Sequence, residues 1–276
     1  MKNIYTSFIR PLSLTSLSLI IAVSCNMNKP PAGSGNGKDS TAVKTKSIDS
    51  TRVSVIVEKY SNGVTKSEVS AKGNKREGLT KNYHEDGSLM SEINYANNMK
   101  EGISRDFYPK GKVRMEIMYK KGIMEGDAKW YYETGEVYRL TPYVKGKADG
   151  IQKEFYKDKR VKAEIPHQLG EAYPGLKEYD LNGKLIAQPS LVSNKSGSVL
   201  SLHLSNKTDK VKYYEGDLKD WSYFPKALRP IPMDIDGNAS YNYSKLTARG
   251  IKSITVYAVT TTDMGNELVI QKKIDL

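Results

Sequence analysis

Gly126-Asp127-Ala128-Lys129-Trp130-Tyr131-Tyr132-Glu133-Thr134-Gly135-Glu136-Val137 is one copy of a pattern that returns every 24 residues in this chain. Gly78, Gly102, Gly126 and Gly150 stand one period apart, and Gly87, Gly111 and Gly135 follow the first three of them by nine residues. Turn residues at a fixed spacing of roughly 20–50 residues mark a repeat array, whose neighbouring copies bury surface that no single copy can bury alone. The functional question therefore concerns an extended surface more than a catalytic pocket.

With the first glycine of each copy as position zero, positions five and six are rings: Tyr83-His84, Phe107-Tyr108, Tyr131-Tyr132 and Phe155-Tyr156. A turn sequence follows (Glu85-Asp86-Gly87, Pro109-Lys110-Gly111, Glu133-Thr134-Gly135), then an alternating run such as Val113, Ile117 and Tyr119. Alternation with β-branched and aromatic residues, bounded by glycines that accept positive φ, predicts one β-hairpin per copy. Position three is basic (Lys81, Arg105, Lys129, Lys153), and position fourteen is acidic in Glu68, Glu92, Glu116 and Glu164, with Leu140 the exception. If position six pairs with position eleven across the turn, three lies opposite fourteen. Each such cross-strand ion pair is worth about 0.2–1 kcal/mol. The same register gathers Leu89, Ile93, Val113 and Ile117 on the other face. From the Tyr60-Ser61-Asn62-Gly63 turn to Gly175 and Asn182-Gly183 the pattern makes five units and a partial sixth, over residues 53–189. Lys159 replaces the second glycine of the fourth copy, so the array is expected to bend or end near it.

Units of the form G-x-x-x-x-(Y/F)-Y-x-x-G-x-(L/V), as in Gly126 to Val137, resemble MORN repeats, most of all the bacterial variant in proteins labelled YwqK-like antitoxins. The resemblance covers about half the chain. It implies an elongated, twisted, single-layer antiparallel sheet with an open groove, used for protein or lipid interaction. Its antitoxin label implies neutralisation of a cognate toxin.

The ends add context. Lys2 and Arg10 precede an apolar stretch, Pro11 to Val23, of signal-peptide length and too short to span a bilayer. Ile21-Ala22-Val23-Ser24-Cys25 resembles a bacterial lipobox, with Ala22 where leucine is more usual. The resemblance implies removal of residues 1–24 and acylation of Cys25. The alternative is an ordinary secretory signal with an incidental cysteine. As the single cysteine of 276 residues, Cys25 has no partner for an intramolecular disulfide. Residues 25–52, with Pro30-Pro31 and Gly33-Ser34-Gly35-Asn36-Gly37, read as a disordered tether reaching on the order of 30 Å. The net charge of +12 is spread along the chain: 7 basic and 2 acidic residues in 1–52, 24 and 20 in 53–188, 12 and 9 in 189–276. No segment forms a basic stripe, so no nucleic-acid partner is expected.

Beyond Pro189 the rhythm stops. Short apolar runs such as Val199 to Leu204, Val211 to Tyr214 and Ile254 to Thr260, separated by turn signals, predict a small β-sandwich over residues 190–276, an immunoglobulin-like one among the options. Trp221, Tyr223 and Phe224 are expected to supply its bulk. The alternative is a cap on the repeat sheet. The expected fold class is thus all-β, hairpin array followed by sandwich.

Chemistry is scarce. His84 and His167 occupy positions that are aromatic in other units, and together with His203 they lack metal-ligand spacing. Asp234-Ile235-Asp236-Gly237-Asn238 echoes a calcium loop without its remaining ligands and reads as a hairpin turn. No phosphate loop, nucleophile elbow or zinc-protease motif occurs. No catalytic residue, cofactor or metal is expected. The candidate binding surface is the aromatic ladder: Tyr83, Phe107, Tyr131 and Phe155 in column five, with Tyr108, Tyr132 and Tyr156 in column six. Adjacent strand positions face opposite ways, so one column should line an exposed surface suited to extended peptide or glycan. The alternative is that both columns only stiffen a thin sheet. The expected function is that of a non-enzymatic lipoprotein of a bacterial cell envelope, anchored by lipid to the outer membrane on its periplasmic or surface face. Its repeat surface would meet a protein partner, or glycan or lipid. An antitoxin-like role, and an enzyme within the C-terminal segment, are the alternatives.

Overall fold

The computed structural model describes residues 52–276 apart from 219, 220, 222 and 223. The signal peptide, Cys25, the tether up to Arg52, and Tyr223 lie outside the described residues.

The repeat segment is one antiparallel sheet of 15 strands. Its hairpins are β1 (Val53–Lys59) with β2 (Thr65–Lys72), β3 (Lys75–Tyr83) with β4 (Leu89–Ala96), β6 (Gly102–Phe107) with β7 (Val113–Lys120), β9 (Gly126–Tyr131) with β10 (Val137–Val144), and β12 (Gly150–Phe155) with β13 (Val161–Gln168). Two-residue strands β5 (Met99–Lys100), β8 (Ile123–Met124), β11 (Lys147–Ala148) and β14 (Glu171–Ala172) fold back on the ends of β4, β7, β10 and β13, and β15 (Lys177–Glu178) pairs with β13. Two kinds of turn do this. Between the long strands, Gly87, Gly111 and Gly135 take positive φ, with Gly111 N donating to Tyr108 O and Tyr108 N to Lys112 O, both at 2.8 Å. Before the two-residue strands come Asn97-Asn98, Lys121-Gly122, Lys145-Gly146 and Leu169-Gly170, positive in φ at both residues as a type I′ turn requires. Lys159 keeps its turn by adopting φ 69°, and the array runs on through it into β13.

The expected register holds at its centre and changes at the turn. Lys81 pairs with Glu92, Arg105 with Glu116 and Lys153 with Glu164. Position eleven, however, pairs with position five and not six: Tyr83 with Leu89, Phe107 with Val113 and Phe155 with Val161. A one-residue bulge at position twelve of the facing strand, as at Met90 opposite the Asn82–Tyr83 step, absorbs the difference. Position six consequently opens the turn and is not a strand residue.

The C-terminal segment forms two sheets, β16 (Leu191–Ser196), β17 (Val199–Leu204) and β20 (Ala239–Asn242) in one, β19 (Arg229–Ile231), β18 (Val211–Glu215), β21 (Ser253–Thr261) and β22 (Glu267–Asp275) in the other. Leu200, Leu202 and Leu204 meet Val211, Tyr213, Val256, Ala258 and Ile274 in a core between them. Lettered A to G, the strands run A-B-E and D-C-F-G. This is an immunoglobulin-like sandwich with its fourth strand on the second sheet. Trp221 and Phe224 do not fill that core. They stack at 4.7 Å on the outer side of the second sheet with Tyr257 and Val269. Trp221 Nε1 donates to Ala172 O at 2.9 Å, its ring lies 4.6 Å from Tyr173, and Leu268 packs with Ala163, Ile165 and Leu176. The segment therefore has its own core and also covers the last unit of the array.

Candidate functional site

Pairing carries position fourteen of one strand into position three of the next throughout the sheet. Glu68, Lys81, Glu92, Arg105, Glu116, Lys129, Leu140, Lys153, Glu164 and Lys177 are successive cross-strand partners in a single row. Charge alternates along it except at Leu140. Arg105 Nε reaches Glu116 at 2.7 Å, while Lys81–Glu92, Lys153–Glu164 and Lys177–Glu164 span 3.7–3.8 Å. Glu92, Glu116 and Glu164 each lie between two cations and Glu68 beside Lys81 alone, so five cations meet four carboxylates and the row, at a net +1, offers little to a polyanion.

Column five lies on this charged face. Tyr83 donates to Glu68 at 3.0 Å, Tyr131 to Glu116 at 2.5 Å and Tyr179 to Glu164 at 3.3 Å. Phe107 and Phe155 occupy the same position without a hydroxyl, and the position-fourteen partner fifteen residues before Phe155 is the apolar Leu140. Burial raises the Tyr131 pKa, and the bond to Glu116 raises it further, to about 12. Burial pushes the Glu116 carboxyl up, but the bonds from Tyr131 and Arg105 outweigh it and hold the group below the usual carboxylate range.

Column six binds one unit to the next. Tyr60 donates to Tyr83 O at 2.7 Å, Tyr108 to Tyr131 O at 2.6 Å, Tyr132 to Phe155 O at 2.8 Å and Tyr156 to Tyr179 O at 2.7 Å. Burial raises the pKa of Tyr108 and Tyr132, so both hydroxyls stay protonated donors at neutral pH. All seven ladder residues are half-buried. Between successive turns lie two open clefts of about 370 and 480 Å³. Tyr108, Pro109, Lys110 and Glu133 line the first, and Gly135, Glu136, Phe155 and Lys159 the second, with Thr134 shared.

The remaining candidates have local roles. His84 opens a turn, its N donating to Ser88 O at 2.9 Å, and His167 Nδ1 lies 3.0 Å from Ile165 O. Asp234 Oδ1 accepts from the amides of Asp236 and Asn238. Among the described residues no three His, Cys, Asp or Glu side chains gather as metal ligands.

Sequence reading missed two structural groups of carboxylates. The glutamate before each of the first three position-zero glycines caps the next type I′ turn: Glu77 accepts from Asn97 N at 2.9 Å, Glu101 from Lys121 N at 2.7 Å and Glu125 from Lys145 N at 2.9 Å. The Glu-Gly dipeptide at period 24 was its visible signal. Glu178, 2% exposed, accepts from Thr262 Oγ1 and Asn266 Nδ2 at 2.7 Å and from Gln188 Nε2 at 2.9 Å, tying the array to the β21–β22 turn. Nothing local to Glu178 announces that role.

On the charged face apolar side chains stay open beside the row: Ile103, paired with Met118, is 36% exposed, Met118 39% and Ile151 49%. Strands β1 to β12 make their substantial element contacts with sheet neighbours only, so among the described residues no second layer of strands covers this face.

No curated protein matches the chain. Residues 76–97, 100–121 and 124–145 each match the family described as MORN repeat variant, in segments that start 24 residues apart and coincide with the observed units. By hairpin, register and match together, the segment 76–145 is similar to the MORN repeat family.

Proposed function

We propose that this chain is a non-enzymatic scaffold whose array presents its charged face to a protein partner, held at a bacterial cell envelope by a lipid on Cys25. One observation carries the choice of face. The Ile103, Met118 and Ile151 side chains lie open beside a row of alternating charges, on a sheet that no second layer of the described residues covers. An apolar strip with a balanced polar border suits a protein surface. The ladder tyrosines contribute by fixing the geometry of that face, since their hydroxyls are already engaged with Glu side chains and backbone carbonyls. The apolar, signal-like N-terminus ending in Cys25 supports the envelope over neutralisation of a cytoplasmic toxin.

Photo-crosslinking in cells tests the face. A photoreactive residue at Ile103 or Ile151 should give a discrete protein adduct, and one at Asn98, in a type I′ turn, should not. Adducts from Asn98 alone, or from none of these sites, would count against it. Detergent-phase partitioning of the intact protein, lost in Cys25→Ser, tests the anchor separately.

A further inference from the structure

The two ends of the array differ. The last unit is covered by the sandwich through Trp221, Leu268 and the Glu178 bonds. Among the described residues nothing covers the first: β1 is the edge of the sheet, and all seven of its residues are exposed. Val53 is 55% exposed, Val55 60%, Ile56 52% and Val57 51%. A long apolar edge strand with unpaired N–H and C=O groups is a template for another strand. Repeat arrays require atypical, capped ends.

We propose that a second copy of this chain caps that edge, the two β1 strands pairing antiparallel about a two-fold axis through Val55. The strand is self-complementary in that register. Val55 faces its counterpart, Val53 of each copy faces Val57 of the other, and Arg52 faces Glu58 at both ends. Val57 is the cross-strand partner of Glu68, so Val53, Val55 and Val57 lie on the charged face. The six valines of two copies then form one apolar cluster there. Moving the axis to Ile56 would set Lys59 against Val53 and lose both ion pairs. Because the sandwich covers the other end, this pairing consumes both free edges. It closes as a dimer and does not propagate as a filament. The inference is independent of the partner face proposed above.

The test uses the full chain carrying Cys25→Ser, so that no lipid gathers molecules. Sedimentation over roughly 1–500 μM spans the affinities expected of a small strand-edge contact. A mass that doubles with concentration is expected, and a monomer throughout, as when residues before Arg52 pair with β1 in the same molecule, overturns the proposal. Val55→Lys sets two like charges on the axis at an exposed position and should weaken association at least tenfold with an unchanged circular dichroism spectrum. A dimer that survives it uses another surface and overturns the proposal. Arg52→Glu and Glu58→Arg should each be weakened alone, since each homodimer has only like-charged pairs. An equimolar mixture should recover association, since every pair is then opposite. A mixture that stays monomeric refutes the register.

Discussion

Leu140 stands fifteen residues before Phe155 as Glu116 stands before Tyr131, and this natural exchange predicts a coupled substitution. Tyr131→Phe removes a hydroxyl that donates at 2.5 Å to a carboxylate whose side chain is 23% exposed. A hydrogen bond to a charged group is worth about 1.5–3 kcal/mol when sealed from water, and screening at this exposure brings it to about 1 kcal/mol. Glu116→Leu costs more, about 2 kcal/mol, because it strands the tyrosine hydroxyl and takes the partner from Arg105 and Lys129 together. The double variant recreates the Leu140–Phe155 arrangement. With hydroxyl and carboxylate both gone and an aliphatic side chain against a ring, its cost should be about 1.5–2 kcal/mol, a coupling near 1 kcal/mol. Urea unfolding of the four proteins, compared at a common slope, measures the cycle. Costs that add to within about 0.3 kcal/mol would show that the pair does not act as a unit. A neutral Tyr131→Phe would refute the role of the hydroxyl outright.

Three further outcomes follow from particular residues. The Glu116 pKa is lower folded than unfolded, so the stability it lends is complete above its ordinary value near 4.5 and lost as pH falls through the folded value. Tyr131, raised from 10.0 to about 12, lends stability complete below pH 10 and lost as pH rises toward 12, so Tyr131→Phe should soften the alkaline decline of the melting temperature. Lys159→Gly relieves a left-handed lysine at φ 69° and, after the entropy glycine adds to the unfolded chain, should stabilise by about 0.5–1 kcal/mol, read as a higher urea midpoint. Glu178→Ala leaves Thr262, Asn266 and Gln188 without their acceptor and should cost about 3 kcal/mol, with hydrogen exchange rising in the β21–β22 turn; Glu178→Gln should retain most of that.

The array was legible because its information is local. A 24-residue period, the two glycines and the three-to-fourteen charge rule lie within one unit and suffice to fix the strands and the register at the centre of each hairpin. The bulge beside each position-five ring was not legible, because alternation alone gives no reason to insert a residue. It moved column six from strand to turn, and with it the expectation that the two columns oppose each other across the sheet. The partners of the ring hydroxyls lie 15 or 23 residues away, so sequence showed the columns without showing what they hold. Trp221 was assigned to the sandwich core because bulk was wanted there. The sandwich instead fills itself with Leu, Val and Tyr213, and Trp221 serves the junction through Ala172, 49 residues upstream. Glu178 meets residues 84 and 88 positions later, a separation at which no spacing rule operates.

The bonds from the Tyr60, Tyr108, Tyr132 and Tyr156 hydroxyls to carbonyls 23 residues ahead mean that a unit with tyrosine at position six brings both halves of its own connection, whereas the unit with His84 there has no hydroxyl to give. Duplication of a 24-residue block with tyrosine at position six, such as the one that holds Tyr108, therefore repeats a junction the array already has. Recombination between units can lengthen or shorten the protein without redesigning either end. Each block shifts the sandwich by two strand spacings, about 9.5 Å, relative to β1. The repeat is in this sense an adjustable ruler, its graduations set by a tyrosine hydroxyl.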